Sequence, residues 1–338
     1  MKRLVLGVAV AACGSHGSKP VPLGDVSEVS VDIARACAIT TDHAVWCWGG
    51  LADQTIETPY AIPIGVTDAQ QLGQGSCARL STGAVKCWHE ARDAGSADVP
   101  LAIKDIRLKA TSLTVRDSFA CNNDGKRIEC QAYENEVPAE VRHLSLDYPN
   151  VDELLEVDFD WFCGRVGQAV TCKFQHGDQP TLPNAQPLNK VITTPIVTAA
   201  VNGVTTCAVL PTGAVDCFNT ASIGEPPQVF HIQGVTDAKR IAVGTMAACA
   251  VDSKGAVACW DFPPDTSSTA LKSKVTPAQP VANLTGVTSI GLGDRFGCAV
   301  GGDHRVKCWG TYKGRLGIGR TSVDEREPFV AYEVQRAR

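Results

Sequence analysis

Apolar residues in this chain come in short runs broken by turn residues, and neither long heptads nor amphipathic helical stretches stand out. The segment Cys207-Ala-Val-Leu-Pro211-Thr212-Gly213-Ala-Val-Asp-Cys217 shows the unit. If Cys207 faces Cys217, then Ala208 faces Asp216, Val209 faces Val215 and Leu210 faces Ala214, leaving Pro-Thr-Gly as the loop. Proline presets φ for a type I turn, and glycine accepts the left-handed conformation that a G1 bulge needs. Ser81-Thr82-Gly83 and Ser253-Lys254-Gly255 stand in the same place. Elsewhere the loop shortens to Gly125-Lys126 and Gly167-Gln168, with glycine first as a type II′ turn requires. The pattern predicts a series of antiparallel β-hairpins.

Cysteine marks each hairpin. Fourteen of the 15 cysteines form pairs of nearly constant spacing: Cys37/Cys47, Cys77/Cys87, Cys121/Cys130, Cys163/Cys172, Cys207/Cys217, Cys249/Cys259 and Cys298/Cys308. The pairs recur about every 43 residues, a period that built from short strands is the signature of a β-propeller blade. The expected fold is therefore all-β, a seven-bladed propeller with one cross-hairpin disulfide per blade. In an alternating ladder each pair falls at a non-hydrogen-bonded site, where Cα atoms are ~4.5 Å apart and within disulfide reach. Two other readings of the pairs stay open. A zinc site wants short Cys-x2-Cys or Cys-x4-Cys knuckles, which these spacings do not supply. Buried free thiols would suit a reducing compartment.

The N-terminus bears on that choice. Residues 1–13 carry Lys2 and Arg3, an apolar and small-residue run from Leu4 to Ala12, and then Cys13. This resembles a bacterial lipoprotein signal, in which the motif here written Val10-Ala11-Ala12-Cys13 is cut before the cysteine and its thiol receives a diacylglycerol. Cys13 is the cysteine left without a partner, as lipidation would have it. The resemblance implies a signal peptide over 1–12, a lipidated tether over 13–20, and a propeller over 21–338. With Ser15 close behind the cysteine it further implies outer-membrane sorting in the cell envelope. The apolar run is too short to span a bilayer.

Glycine (31) and proline (19) are as abundant as many short turns demand. The formal net charge of −5 advertises no basic surface for nucleic acid. The fullest repeat copies run from Gly65 to Trp88, from Gly234 to Trp260, and from Gly286 through Cys308-Trp309-Gly310 to Gly314-Arg-Leu316-Gly317. They resemble the regulator of chromosome condensation repeat, in which a G-V-x-x-I strand leads to a C-A-L-x-x-x-G-x-V-x-C-W-G hairpin and a G-x-L-G tail. That resemblance implies a seven-bladed propeller over nearly the whole mature chain. Departures are concentrated in the middle, where Gln131, Lys173 and Phe218 replace tryptophan after the second cysteine. The C-terminal Glu327–Val334 resembles the Pro-x-x-Val segments at Pro59, Pro227 and Pro277 but has no hairpin after it, so it is expected to pair with the N-terminal unit and close the ring.

Each disulfide closes a short loop and stabilises by about 2.7 kcal/mol in the chain-entropy treatment. It cross-links only its own blade, so packing of Val, Ile, Leu and Ala is expected to hold blade to blade.

Candidate chemistry is sparse. The histidines at 16, 43, 89, 143, 176, 231 and 304 show neither metal-ligand spacing nor a neighbouring nucleophile motif. His43 and His304 stand where other copies have glycine and are expected as left-handed turn residues. The acidic stretch from Asp147 to Asp160 lacks EF-hand spacing and is expected as a solvated strand edge. Gly291-Leu-Gly293 lies in a strand and is not expected to hold phosphate. No cofactor, metal or catalytic residue is expected. The expected role is an envelope-anchored, non-catalytic binding or scaffold module, monomeric, engaging a protein, peptide or glycan through rim loops. The membrane would be met only through the lipid, and nucleic acid not at all. A hydrolase or lyase at the channel mouth is the alternative and would need convergent His, Asp, Glu or Arg. Guanine-nucleotide exchange is implied only by the family resemblance.

Overall fold

The computed structural model describes residues 20–50, 57–74, 76–89, 102–116, 119–124, 126–133, 143–147, 151–157, 161–174, 189–192, 195–202, 205–219, 229–262, 275–294, 296–311, 316–318 and 329–336. The expected signal over 1–12, Cys13 and the expected tether as far as Lys19 lie outside the described residues. Every regular element among them is a strand, and the strands form seven antiparallel blades. Each blade carries four strands in chain order from the inside outward: blade 1, for example, is Val26–Val31, Arg35–Thr40, Val45–Gly50 and Glu57–Pro63.

The hairpins have the expected register. Cys207 faces Cys217, Ala208 faces Asp216 and Val209 faces Val215. Leu210 N–H donates to Ala214 O at 2.9 Å, so by alternation the cysteine pair is a non-hydrogen-bonded one. Disulfides join Cys37–Cys47, Cys77–Cys87, Cys121–Cys130, Cys207–Cys217, Cys249–Cys259 and Cys298–Cys308, with Cα atoms 3.9 to 4.1 Å apart. In blade 4, Cys163 is disulfide-bonded and stands opposite Cys172. Bonded sulfur displaces the zinc and free-thiol readings.

Closure differs from expectation in which residues perform it. Tyr332–Glu333, inside the segment expected to join the N-terminal unit, is instead the outermost strand of blade 7, facing Cys308 and Lys307. The next residues, Gln335–Arg336, cross to blade 1, antiparallel to Val21–Pro22 and parallel to the outer strand at Ala61. Blade 7 draws its fourth strand from this segment, so the outer strand takes priority; closure begins at Val334, whose N–H donates to Val306 O of blade 7 at 3.0 Å and whose carbonyl accepts from Leu23 N–H at 3.1 Å, and continues in the two residues beyond.

The larger departure concerns how blades cohere. The core is divided into seven clusters, and in six of them the sulfur of one blade sits with an aromatic residue of the next, whereas Cys121 and Cys130 of blade 3 sit with Val151 and Leu154 of blade 4. Trp88 packs with Cys37 and Cys47, Trp260 with Cys207 and Cys217, Trp309 with Cys249 and Cys259, and Trp48 with Cys298 and Cys308. Where tryptophan is missing, Phe218 joins the cluster of Cys163, and Tyr133, two residues past Gln131, joins that of Cys77 and Cys87. The expectation of a purely aliphatic seam is therefore corrected. A disulfide buried on the sheet face is itself apolar packing surface, and the tryptophan after the second cysteine is the side chain that reaches a neighbour. The surviving tail serves the same seam, since a Cβ on Gly317 (φ +67°) would stand 2.6 Å from Cδ1 of Trp48.

Two sets of hydrogen bonds cross the junctions. The last loop residue of one hairpin turns its carbonyl to the first N–H of the next blade's inner strand or to the segment leading into it: His43 O accepts from Ala69, Gly213 O from Ala238 and His304 O from Val26 at the strand starts, and Gly83 O from Ala110 and Gly255 O from Val287 just before them, at 2.8 to 3.1 Å. All five loop residues are left-handed, with φ between +58° and +82°. The two histidines thus behave as turn residues, as expected. The second set runs from inner-strand side chains to the next blade's backbone. Gln71 takes both the N–H and the carbonyl of Leu113, at 3.1 and 3.0 Å. Ser289 does the same to Val29, at 3.2 Å each, across the junction that closes the ring. Leu72 N–H donates to Glu28 Oε1 at 3.2 Å, and Arg240 donates to Val287 O and Thr288 O. In blades 1, 2 and 6 a bulge immediately precedes that residue and aims its side chain across the junction.

Trp260 is fully buried and its indole N–H has no acceptor among the described residues, so it contributes by packing alone. Trp260→Ala is expected to lower stability by about 3–5 kcal/mol, while Trp260→Phe retains most of it. Chemical denaturation of both variants under non-reducing conditions measures this, and equal losses would contradict the junction role.

Candidate ligand-binding site between blades 6 and 7

A cavity of about 280 Å³ opens between blades 6 and 7, on the rim opposite the disulfide-bearing hairpin turns. Its residues come from strand ends. Met246 precedes and Ala247 begins the second strand of blade 6, Asp261 ends the third and faces Ala247, and Phe262 comes next, donating its N–H to Met246 O at 2.8 Å. Blade 7 supplies Phe296 at the start of its second strand and Trp309 near the end of its third. Phe329 reaches it from the segment before the outer strand, its carbonyl held by Ala282 N–H at 2.8 Å. The floor is the seam between the two blades, the Cys249–Cys259 disulfide and the Trp309 indole.

The lining is largely aromatic and aliphatic, with Asp261 as the ionisable group among the described lining residues. Asp261 N–H donates to Thr276 Oγ1 at 3.0 Å, but no hydrogen bond or ion pair to its carboxylate occurs among the described residues. Burial holds that carboxyl above its ordinary range. Other carboxylates have cations close by: Asp105 with Lys86 at 3.3 Å, Glu153 with Arg165 at 3.2 Å, and Asp237 with Lys239 at 3.2 Å. The site is a rigid, mostly apolar hollow with one charge at its side, suited to binding by shape and charge.

The residues singled out in the sequence fall elsewhere. Asp152 and Glu153 of the acidic stretch both face Arg165, and Asp152 also accepts from Gly167 N–H at 2.6 Å, while Asp158 and Asp160 lie outside the described residues. Gly291 and Gly293 are there for closeness: a Cβ on Gly293 would stand 2.2 Å from Asp32 O of blade 1, so the pair lets inner strands meet and offers no phosphate cradle. His231 Nδ1 lies 2.8 Å from Asp216 Oδ1 on the outer strands of blade 5. His16 and His176 lie outside the described residues. Just past the inner strand of blade 1, Asp32 accepts from Ser76 Oγ of blade 2 at 3.3 Å and from Ile33 N–H at 2.7 Å. Among the described residues no cluster of three or more His, Cys, Asp or Glu converges as a metal site.

Sequence reading missed Asp261 and Glu28. Asp261 stands directly after Trp260, where the repeat has glycine, and that departure was its one available signal. Glu28 gave none, since its burial depends on blade 2.

No protein-family model matches the sequence, and no curated relative does. Solved structures that resemble it include Hsv2 of Kluyveromyces lactis, with TM-score 0.56 at 9% identity, covering 91% of this chain and 97% of that one. PorZ of Porphyromonas gingivalis, an essential surface component of the type-IX secretion system, gives TM-score 0.54 at 12% identity over 95% of this chain and 39% of its own. Prp20p of Saccharomyces cerevisiae, described with its binding to Gsp1p and histones, gives TM-score 0.50 at 11% identity over 90% of this chain and 76% of its own. Prp20p is the yeast regulator of chromosome condensation protein. The resemblance seen in the repeats therefore holds at the level of the fold, and identities this low carry the fold alone.

Glu28 yields a test of the electrostatics at the first junction. Burial pushes its carboxyl from an ordinary 4.5 up to about 7, against the pull of the Leu72 N–H and the Arg79 charge. Below pH 4.5 it is protonated in both folded and unfolded chains. Between 4.5 and 7 the unfolded chain releases the proton that the folded one retains, so stability falls as pH rises and levels off above about 7. Glu28→Gln keeps an acceptor for Leu72 N–H and is expected to remove this slope. Denaturation from pH 4 to 8 checks it, and a wild-type-minus-variant difference flat in pH would refute it.

Proposed function

We propose that this protein is a binding module of the bacterial cell envelope, held to the membrane by a lipid on Cys13, that engages a protein or peptide partner at the blade 6–7 rim. The cavity carries the reading. It is lined largely by aromatic and aliphatic side chains and a disulfide, and among the described residues no hydrogen bond joins its Thr311 hydroxyl to its Asp261 carboxylate. Binding sites of this kind are concave, mostly apolar and set with few polar groups. Disulfides across the blades support an oxidising compartment, and a surface protein such as PorZ shows that the fold serves in that setting. Non-catalytic action, a monomeric state and outer-membrane sorting are parts of this proposal.

The anchor is tested by intact mass of the protein purified from its own cells, with and without reduction. The expected species starts at a diacylglycerol-modified Cys13 and gains fourteen hydrogens on reduction, as seven disulfides require. A retained Met1 with free thiols would overturn the compartment and bring a cytosolic role forward.

The binding face is tested by photocross-linking on intact cells. A photoreactive residue at Thr311, in the cavity lining, is expected to capture a partner that excess wild-type protein competes away and excess Thr311→Trp protein does not. The same probe at Lys254, on the hairpin rim of blade 6, is expected to capture nothing specific. Capture from Lys254 alone would move the site to the opposite rim.

A further inference from the structure

We infer that the blade 6–7 cavity receives one lysine side chain of its partner, with the methylene stem among Met246, Phe262, Phe296 and Trp309 and the ammonium at Asp261. This rests on the binding reading above and specifies the ligand chemistry of the same site.

Size is the first argument. A volume of about 280 Å³ admits one long side chain, and is at the small end of the range for whole small-molecule ligands. Chemistry is the second. A sugar ring needs several converging donors and acceptors, whereas the described lining offers the Asp261 carboxylate and the Thr311 hydroxyl amid aromatic and aliphatic groups. An uncharged apolar side chain would fill the hollow but bury the mouth of an ionised carboxylate with nothing to compensate it.

Charge is the third. Asp261 has no cation among the described residues, in contrast to Asp105, Glu153 and Asp237, each of which has one within 3.3 Å. Burial already disfavours its charged form, so an arriving ammonium supplies the missing counter-ion. Aromatic side chains around the hollow add attraction for a cation through their ring quadrupoles. Lysine suits the site better than arginine. A single carboxylate can meet a compact ammonium, but leaves most of a guanidinium's five fixed donors unanswered in an apolar lining.

The test uses the full disulfide-bonded chain and three acetylated tripeptide amides, Ala-X-Ala with X as lysine, norleucine or arginine, titrated by calorimetry. Lysine is expected to bind about tenfold more tightly than norleucine, which has the same four-carbon stem without the ammonium, and more tightly than arginine. Asp261→Asn should bring the lysine-to-norleucine ratio close to one, weakening lysine binding and relieving norleucine of the cost of covering a carboxylate. Its carboxyl is at the surface, so an unshifted melting temperature verifies the fold. A wild-type ratio near one, a ratio that survives Asp261→Asn, or no binding of any tripeptide would overturn the inference. Cross-linking at Thr311 judges the site independently: capture competed away equally by wild-type and Asp261→Asn protein but not by Thr311→Trp protein would retain the binding face and discard the lysine.

Discussion

The blade-to-blade junction is the constraint on which this molecule depends. Among the described residues no disulfide crosses between blades, so seven separately cross-linked sheets must be held in a ring by contacts alone. Most junctions join an aromatic side chain to the buried sulfur of the preceding blade, a hairpin carbonyl to the next blade, and often a polar inner-strand side chain to the neighbouring backbone, while blade 4 meets Cys121 and Cys130 through Val151 and Leu154. These contacts differ in character. Aromatic packing is strong and tolerant of orientation, whereas the hydrogen bonds fix register, because a slip of one residue would leave buried backbone groups unpaired. Together they give each blade a single seat against its neighbour.

Closure adds to this, because a linear array of blades would leave two terminal faces exposed. Ser289 meets Val29, His304 meets Val26, and Trp48 packs on the blade 7 disulfide with Leu316 and Gly317 behind it. The junction between last and first blades is thus built from the same parts as the internal ones, then reinforced by Gln335–Arg336 laid along blade 1. The degenerate middle blades obey the same logic with other residues. Tyr133 fills the seam near Gln131, and Phe218 substitutes for tryptophan directly, so sequence drift has altered the packing group without removing its role.

Locality decides how much of this was legible in the sequence. A hairpin is specified within about a dozen residues, so cysteine spacing and turn glycines give register and loop type without knowledge of anything else. His43 and His304 could be placed for that reason, although the purpose of their left-handed backbone could not. That purpose is a carbonyl aimed at a strand more than twenty residues on or, for His304, at the far end of the chain. Glu28 and Gln71 were invisible for a related reason: a polar residue at an inner-strand position has the pattern of a solvated edge until the next blade is laid against it. The C-terminal strand was misassigned because its resemblance to other outer strands identified its type, while its partner depended on which blade still lacked one.

The cavity shows how a binding site can arise from such a scaffold. Its floor, the Cys249–Cys259 disulfide and Trp309, is the seam that holds blade 7 to blade 6. Its distinctive group, Asp261, replaces a residue that in other blades has no side chain at the corresponding place after tryptophan, Gly49 in blade 1 and Gly310 in blade 7. One departure from the repeat therefore adds a charge to a hollow that packing had already shaped. The rigidity that cross-linked blades confer then limits the entropy lost when a ligand enters, so the covalent stiffening of a weakly aromatic fold and the selectivity of its cavity have a common physical origin.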